Sequence, residues 1–231
     1  MKKLFITGLL IISGFNLIAQ ENASSFSFGL KAGVNLANIY SSNLPIEEFT
    51  KNKFGIHGGA MAEYRFSELF ALQAELLYSE QGTKSDIDYI PIDPPGEIGT
   101  FQNTSAQDNS GNGLYENLNS TGNYNYLNLP LLAKLYVYKG LNVFAGPQFS
   151  VLLSAKDELP NGQEMDVKDQ LDAVDFGLNG GLGYQTDFGA FVSANYYLGL
   201  NNISYYNYED YLGFDINLHQ GVWQFSVGYK F

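Results

Sequence analysis

The sequence predicts an all-β fold: an eight-stranded antiparallel up-and-down transmembrane β-barrel with short periplasmic turns and long extracellular loops. Three observations support this prediction. The chain opens with an export signal, the remainder contains eight segments in which apolar and polar residues alternate, and the connections between them are alternately short and long. A chain of 231 residues has the length of one such domain.

The first twenty residues have the organisation of a secretory signal peptide. Two lysines follow the initial methionine, residues 4–12 are apolar, and polar residues dominate from position 21 onward. The apolar stretch is too short to span a bilayer and is followed by serine and glycine. We therefore expect residues 1–20 to be removed, with cleavage after Ala19 or Gln20, leaving residues 21–231 as the barrel domain.

Alternation with a period of two defines the strands. In the first segment every even-numbered residue from Phe26 to Leu36 is apolar, whereas the odd-numbered residues are polar or glycine. Each segment is long enough to cross the hydrocarbon as a tilted strand, which needs roughly 9–11 residues. The eight predicted strands are 26–36, 54–66, 69–79, 124–138, 141–152, 175–185, 190–200 and 222–231.

The connections between these strands differ in length in a regular way. Three are short and four are long, and the two kinds alternate along the chain. This places all short turns at one end of the barrel and all long loops at the other, as in outer-membrane barrels. The short connections are 67–68, 139–140 and 186–189, and the long ones are 38–53, 83–123, 153–174 and 201–217.

The distribution of charge over the strand faces predicts which face contacts lipid. The few charged residues share their faces with glycine and asparagine, whereas the opposite faces are uncharged and carry Phe and Tyr near the strand ends. A soluble barrel would have the reverse arrangement, with an apolar interior and a charged exterior. The charged strand residues are Lys31, Glu63, Arg65, Glu75, Lys134, Asp175 and Lys230.

Four of these charges form a candidate polar network in the lumen: Glu63, Arg65, Glu75 and Lys134. They could line an ion or proton path, or they could be a structural ion-pair network. The structural interpretation is favoured, because eight strands enclose an interior just wide enough for side chains and because both signs are present. Glu75 and Lys134 lie on consecutive strands, so we expect them to pair.

The last long loop contains a candidate surface for binding. Tyrosine offers a large contact area at a low entropic cost, which suits a protein or glycan partner. The same residues could instead pack across the strands of a protruding hairpin. Both interpretations remain open for Tyr205, Tyr206, Tyr208 and Tyr211.

Composition excludes several other kinds of site. The 24 acidic and 12 basic residues give a net charge of −12, which disfavours nucleic acid as a partner. The chain has no cysteine, which removes thiol chemistry and cysteine-ligated metals. Residues 108–113 loosely match the start of a calcium loop, but Asn119 occupies the position of the required glutamate. We predict no metal and no cofactor.

Catalysis is not expected either. The chain has two histidines, His57 and His219. His57 is predicted to face inward near the outer end of its strand, and His219 to lie at the base of the last long loop. A barrel hydrolase would need one of them beside a nucleophile at the membrane rim. No G-x-S-x-G motif is present, so we predict that the protein is not an enzyme.

Several motifs resemble those of the PorT-like outer-membrane β-barrel proteins of Bacteroidota. Asn195 departs from the family pattern, because it stands where that family usually has arginine. The resemblance implies a barrel of the OmpA/OmpX-like type and says little about activity, although the family's namesake is linked to protein secretion. The motifs are YLNLPLLAK at 126–134, Gly146-Pro147, DFGLNGGLG at 175–183 and NYYLGLNNI at 195–203.

These inferences together predict a protein of the outer membrane of a Gram-negative bacterium, with a structural or interaction role at the cell surface. The expected contacts are outer-membrane lipid and an extracellular or envelope protein or glycan. The alternatives are an accessory component of an outer-membrane secretion or transport machine and, less favoured, a barrel hydrolase or acyltransferase. The outward row of the last strand, ending at Phe231, resembles the C-terminal signal recognised by barrel-insertion machinery, which is a further expected partner.

Overall fold

The computed structural model describes residues 25–41, 50–85, 119–203 and 217–231. The predicted signal peptide, most of the loosely calcium-like loop and the four loop tyrosines lie outside these ranges. Within them the chain forms ten strands and one short 3₁₀ helix, Lys168–Gln170. The strands are β1 (Ser25–Ser41), β2 (Thr50–Arg65), β3 (Phe70–Gln81), β4 (Thr83–Ser85), β5 (Ser120–Tyr138), β6 (Leu141–Glu158), β7 (Glu164–Asp166), β8 (Val174–Gln185), β9 (Ala190–Gly199) and β10 (Leu218–Lys230).

Eight of these strands form a closed antiparallel ring. The ring order is β1, β2, β3, β5, β6, β8, β9 and β10, and β10 pairs back onto β1. The two remaining strands are three residues long and lie at the long-loop end. There β4 pairs with β2 and β5, and β7 pairs with β6. The predicted eight-stranded up-and-down barrel is confirmed.

Five strands extend at least four residues further than predicted, all of them toward the long loops. β1 continues to Ser41, β2 begins at Thr50, β5 begins at Ser120, β6 continues to Glu158 and β10 begins at Leu218. The boundaries expected at 36, 54, 124, 152 and 222 were wrong because alternation was used to define them. Beyond the bilayer the outer face meets water, so strand pairing continues there without an apolar row.

The outer surface of the ring is apolar and the inner surface is polar, as the strand faces predicted. Leu30, Phe54, Leu182 and Val227 are each more than half exposed in the isolated chain, whereas buried positions include Lys31, Glu63 and Lys134. That inversion is expected when the solvent is lipid. No helix within the described ranges is long and apolar enough to cross a membrane. Exposed aromatic residues surround the short-turn end in the manner of an interfacial girdle: Phe26, Tyr64, Phe66, Phe70, Tyr138, Phe188, Tyr229 and Phe231.

The short turns are built from residues that suit them. Lys139 and Gly140, which join β5 to β6, both have positive φ angles, 38° and 84°, as a two-residue type I′ hairpin requires. The Ser67 hydroxyl accepts hydrogen bonds from the Leu69 and Phe70 amides at 3.3 and 3.1 Å. These contacts fix the register of neighbouring strands at the periplasmic end.

The β5–β6 turn gives a stability prediction with an internal control. Gly140 and Gly162 both have positive φ, but a Cβ at position 140 would lie 1.9 Å from the Gln185 carbonyl oxygen, while position 162 is open. Gly162→Ala should cost about 1–2 kcal/mol from backbone strain alone. Gly140→Ala should cost about 1–3 kcal/mol more, because the carbonyl must move.

Urea unfolding in detergent micelles, followed by the fluorescence of the single tryptophan, Trp223, measures this difference. Equal midpoints for the two variants would contradict the turn geometry.

Candidate functional site

The periplasmic end of the lumen contains a charged cluster centred on Glu63. The Glu63 carboxylate contacts the ammonium groups of Lys134 and Lys230 at 3.0 and 2.8 Å, and all three side chains are buried. The Tyr136 hydroxyl donates to the same carboxylate at 2.8 Å and accepts a hydrogen bond from Lys230 at 3.0 Å. A buried carboxylate with this many partners is well compensated.

Arg65 lies at the edge of this cluster, closer to solvent. Its guanidinium is 3.6 Å from Glu63 and 3.9 Å from the centre of the Tyr136 ring, and its side chain is 31% exposed. Three cations therefore face one carboxylate at this end of the barrel. Arg65 is the member of that group that reaches the periplasmic mouth.

A second buried ion pair lies deeper in the lumen, between Lys31 and Glu75 at 3.0 Å. Gly59 on β2 lies opposite Lys31 and has no side chain, so the lysine can reach across β2 to β3. Gln73 donates a short hydrogen bond to Glu75 and accepts one from Lys134 at 3.0 Å. The two ion pairs thus form one connected network.

The expected pair between Glu75 and Lys134 was wrong, although both side chains point inward. Lys134 lies opposite Ala71 in the β3–β5 register, four residues along β3 from Glu75, and the Gln73 side chain lies between the two charged groups and hydrogen-bonds to both. Lys134 therefore pairs with Glu63 and Glu75 pairs with Lys31. Adjacent strands do not imply adjacent side chains until the register is known.

The middle of the lumen holds a continuous belt of hydrogen-bonded amides. Asn179 donates to Gln148 at 2.7 Å, Asn195 donates to Asn179 at 3.0 Å and to Gln224 at 2.8 Å, and Gln224 donates to Asn35 at 3.1 Å. The belt connects β6 to β1 through β8, β9 and β10. Its members are Gln148, Asn179, Asn195, Gln224 and Asn35.

His57 joins this belt and occupies the middle of β2. The expectation that it lies near the outer end was wrong, because β2 begins at Thr50. Its ring contacts Asn35 Oδ1 at 2.7 Å and Ser226 Oγ at 2.8 Å. A Cβ at Gly33 would lie 2.7 Å from the ring, so this glycine provides the space. The order Ser–His–amide resembles a catalytic triad, but His57 and Ser226 are only 3% and 5% exposed.

The extracellular end of the lumen contains an apolar cluster, which the strand pattern did not predict. Val167, which precedes the 3₁₀ helix, and Ile203 pack against Tyr126 and other buried residues. The Val167 amide donates to the Ala155 carbonyl at 3.1 Å, and the Ile203 amide donates to that of Leu218 at 2.8 Å. This apolar cap comprises Ile39, Tyr124, Tyr126, Leu152, Ala155, Val167 and Ile203.

A small void lies in the lumen at the level of the charged side chains. A void of about 10 Å³ lies beside Lys31, Glu75 and Lys134, which is room for about one water molecule. Within the described ranges, no group of three or more His, Asp or Glu side chains is arranged to hold a metal ion. The geometry favours the structural interpretation of the lumen charges over an ion path.

Comparison with known proteins identifies the family. Residues 18–205 match the family model described as "Outer membrane protein beta-barrel domain". The chain belongs to this family. Its members are outer-membrane barrels, so this barrel lies in the outer membrane, with its short turns on the periplasmic side.

Solved structures resemble this outer-membrane barrel in fold. Neisserial surface protein A is 14% identical with a TM-score of 0.51, and the match covers 90% of this chain and 99% of that one. Ail of Yersinia pestis, solved with a heparin analogue, is 11% identical (TM-score 0.46, 90% and 99% covered). OprG from Pseudomonas aeruginosa is 12% identical (TM-score 0.41, 91% and 98% covered). No curated protein matches the sequence.

Sequence reasoning missed two partners of Glu63 in this barrel. Lys230 was recognised as a charge on a polar face, but its role in the network was not. Tyr136 was missed because it is an aromatic residue among aliphatic ones. Its even number, shared with the inward-facing Lys134, is the signal that could have placed it in the lumen.

The charged cluster predicts a large effect of neutralising Glu63. Glu63→Gln keeps the shape of the side chain but leaves Lys134 and Lys230 buried without an anion. The free energy of unfolding should therefore fall by about 3–5 kcal/mol. The matched control, Glu68→Gln on the exposed turn, should change stability by less than about 0.5 kcal/mol.

Adding Lys230→Met to Glu63→Gln removes one unpaired cation and should recover part of the loss. Urea midpoints in detergent micelles test both statements. A Glu63→Gln protein as stable as the wild type would show that the cluster is not energetically coupled.

Proposed function

We propose that this protein is a closed, non-catalytic outer-membrane barrel that acts through contacts made by its extracellular segments. The observation that carries the proposal is the filled lumen. The Glu63 cluster occupies the periplasmic end, the amide belt occupies the middle and the apolar cap occupies the extracellular end. A barrel without a passage must act through its surface.

The buried position of His57 supports the non-catalytic part of the proposal. A serine nucleophile needs a substrate carbonyl beside it and donors for the developing oxyanion. Ser226 faces the lumen and is surrounded by the amide belt and Gly33. The Ser–His–amide contacts therefore serve to satisfy buried polar groups.

The charge of the extracellular connections supports an interaction role. The segments 42–49, 86–118 and 204–216 contain eleven acidic residues and no lysine or arginine. The end of β6 and the connection that follows it add further acidic residues, among them Glu158, Glu164, Asp166 and Asp169. In this region Lys156 pairs with Glu164 at 2.6 Å. Such a concentration of one sign favours a partner with a basic surface and accelerates its approach.

Two finer assignments belong to the same proposal. The motifs at 126–134, 146–147, 175–183 and 195–203 support a place among the PorT-like barrels of Bacteroidota. The basic start, apolar stretch and polar boundary of residues 1–20 support cleavage of an export signal before insertion.

Site-specific photo-crosslinking on intact cells tests the interaction role. A photoreactive residue at Met165, exposed in the extracellular β7, should give protein or glycan adducts. The same residue at Leu72, on the lipid-facing side of β3, is the matched control and should give only lipid adducts.

A third variant, at Glu68 on the periplasmic turn, distinguishes the alternative role. Protein adducts at Glu68 and none at Met165 would contradict the proposal. That result would favour an accessory component of an envelope secretion or transport machine.

A further inference from the structure

The periplasmic mouth of the barrel contains an open cavity that the extracellular role does not use. Its volume is about 440 Å³, within the roughly 300–1,000 Å³ of small-molecule sites, which occur in the mouths of β-barrels. The buried and half-buried lining residues include Arg65, Tyr136 and Gln185. The exposed lining residues include Lys139, Glu68 and Asp187.

The side of this cavity that faces the lumen has an excess of positive charge. Glu63 is contacted by Lys134, Lys230 and Arg65, so one carboxylate is shared by three cations. Lys31 is neutralised separately by Glu75. The cluster beneath the cavity therefore has three cationic groups to one carboxylate, in a site of reduced dielectric where charge acts more strongly than in water.

Arg65 presents that charge to the cavity in a fixed orientation. Its guanidinium lies 3.9 Å from the centre of the Tyr136 ring, a stacking contact that orients the planar group. Its distance of 3.6 Å to Glu63 is too long for a hydrogen bond. The guanidinium thus keeps N–H donors for a ligand, and its fork geometry matches a carboxylate or a phosphate.

We propose that the periplasmic mouth is a binding site for a small molecule bearing an oxyanion, either a carboxylate or a phosphate, which Arg65 holds through its guanidinium. Lys139 at the rim adds electrostatic attraction for the anionic ligand. Glu68 and Asp187 at the same rim oppose this attraction, so binding depends on the Arg65 guanidinium rather than on the charge of the rim. The site lies at the end of the barrel opposite the extracellular segments, so its test is independent of the interaction role.

NMR titration of the folded full chain in detergent micelles tests the proposal, with inorganic phosphate and acetate as separate probes. Either probe should shift the Arg65 side-chain resonance with a saturating curve. The tighter of the two identifies the ligand chemistry. Absence of saturable shifts with both probes would overturn the proposal.

Three variants separate a specific site from general attraction. Arg65→Gln should weaken binding at least on the order of tenfold, because charged hydrogen bonds to the ligand are lost. Arg65→Lys keeps the positive charge but loses the two-pronged geometry of the guanidinium, so its affinity should lie between those of the wild type and Arg65→Gln. Lys139→Gln, the matched control, removes one rim charge and should change affinity less than about threefold.

Two results with these variants would contradict the site. One is an Arg65→Gln protein that binds as tightly as the wild type. The other is an equal loss in Lys139→Gln, which would indicate attraction by the rim as a whole. If Arg65→Gln does not fold, the comparison of Arg65→Lys with Lys139→Gln decides the question alone.

Discussion

The structure depends on the need to compensate charge inside a barrel that is too narrow for bulk water. Eight strands enclose an interior about as wide as its side chains, and Glu63 is buried there with Lys134, Lys230 and Arg65 around it. An uncompensated charge in this position would cost several kcal/mol. The cluster therefore surrounds the carboxylate with cationic groups and occupies the lumen beneath the periplasmic mouth.

The same requirement applies, at a smaller energetic cost, to the uncharged polar groups that lie nearer the extracellular end of the lumen. Inward-facing positions of β8, β9 and β10 carry asparagine and glutamine, whose amides both donate and accept, so each can satisfy two neighbours. Nearer the extracellular surface the cap replaces polar contacts with apolar packing among residues such as Tyr126, Val167 and Ile203. Among the described residues, the lumen thus passes from the charged cluster through the amide belt to an extracellular end that contains the apolar cap and the buried Asp175 carboxylate.

Much of this architecture was accessible from the sequence, because a period of two fixes which face each side chain occupies. The alternation of the strands places Glu63, Glu75 and Lys134 inside the barrel. It could not assign their partners, because partners depend on strand register, and a glycine such as Gly59 lets a lysine reach beyond its neighbour. The apolar cap was only partly accessible, because alternation turns Tyr126 and Leu152 inward, whereas Val167 and Ile203 come from connections that have no period.

We propose that this outer-membrane barrel has no passage and acts at its surfaces. Conductance of the purified full chain in planar lipid bilayers measures this most directly, with a general porin as the positive control. No conductance steps above the bare membrane are expected at either polarity, because the charged cluster, the amide belt and the apolar cap occupy successive levels of the lumen. Reproducible unitary steps from the folded protein would contradict it.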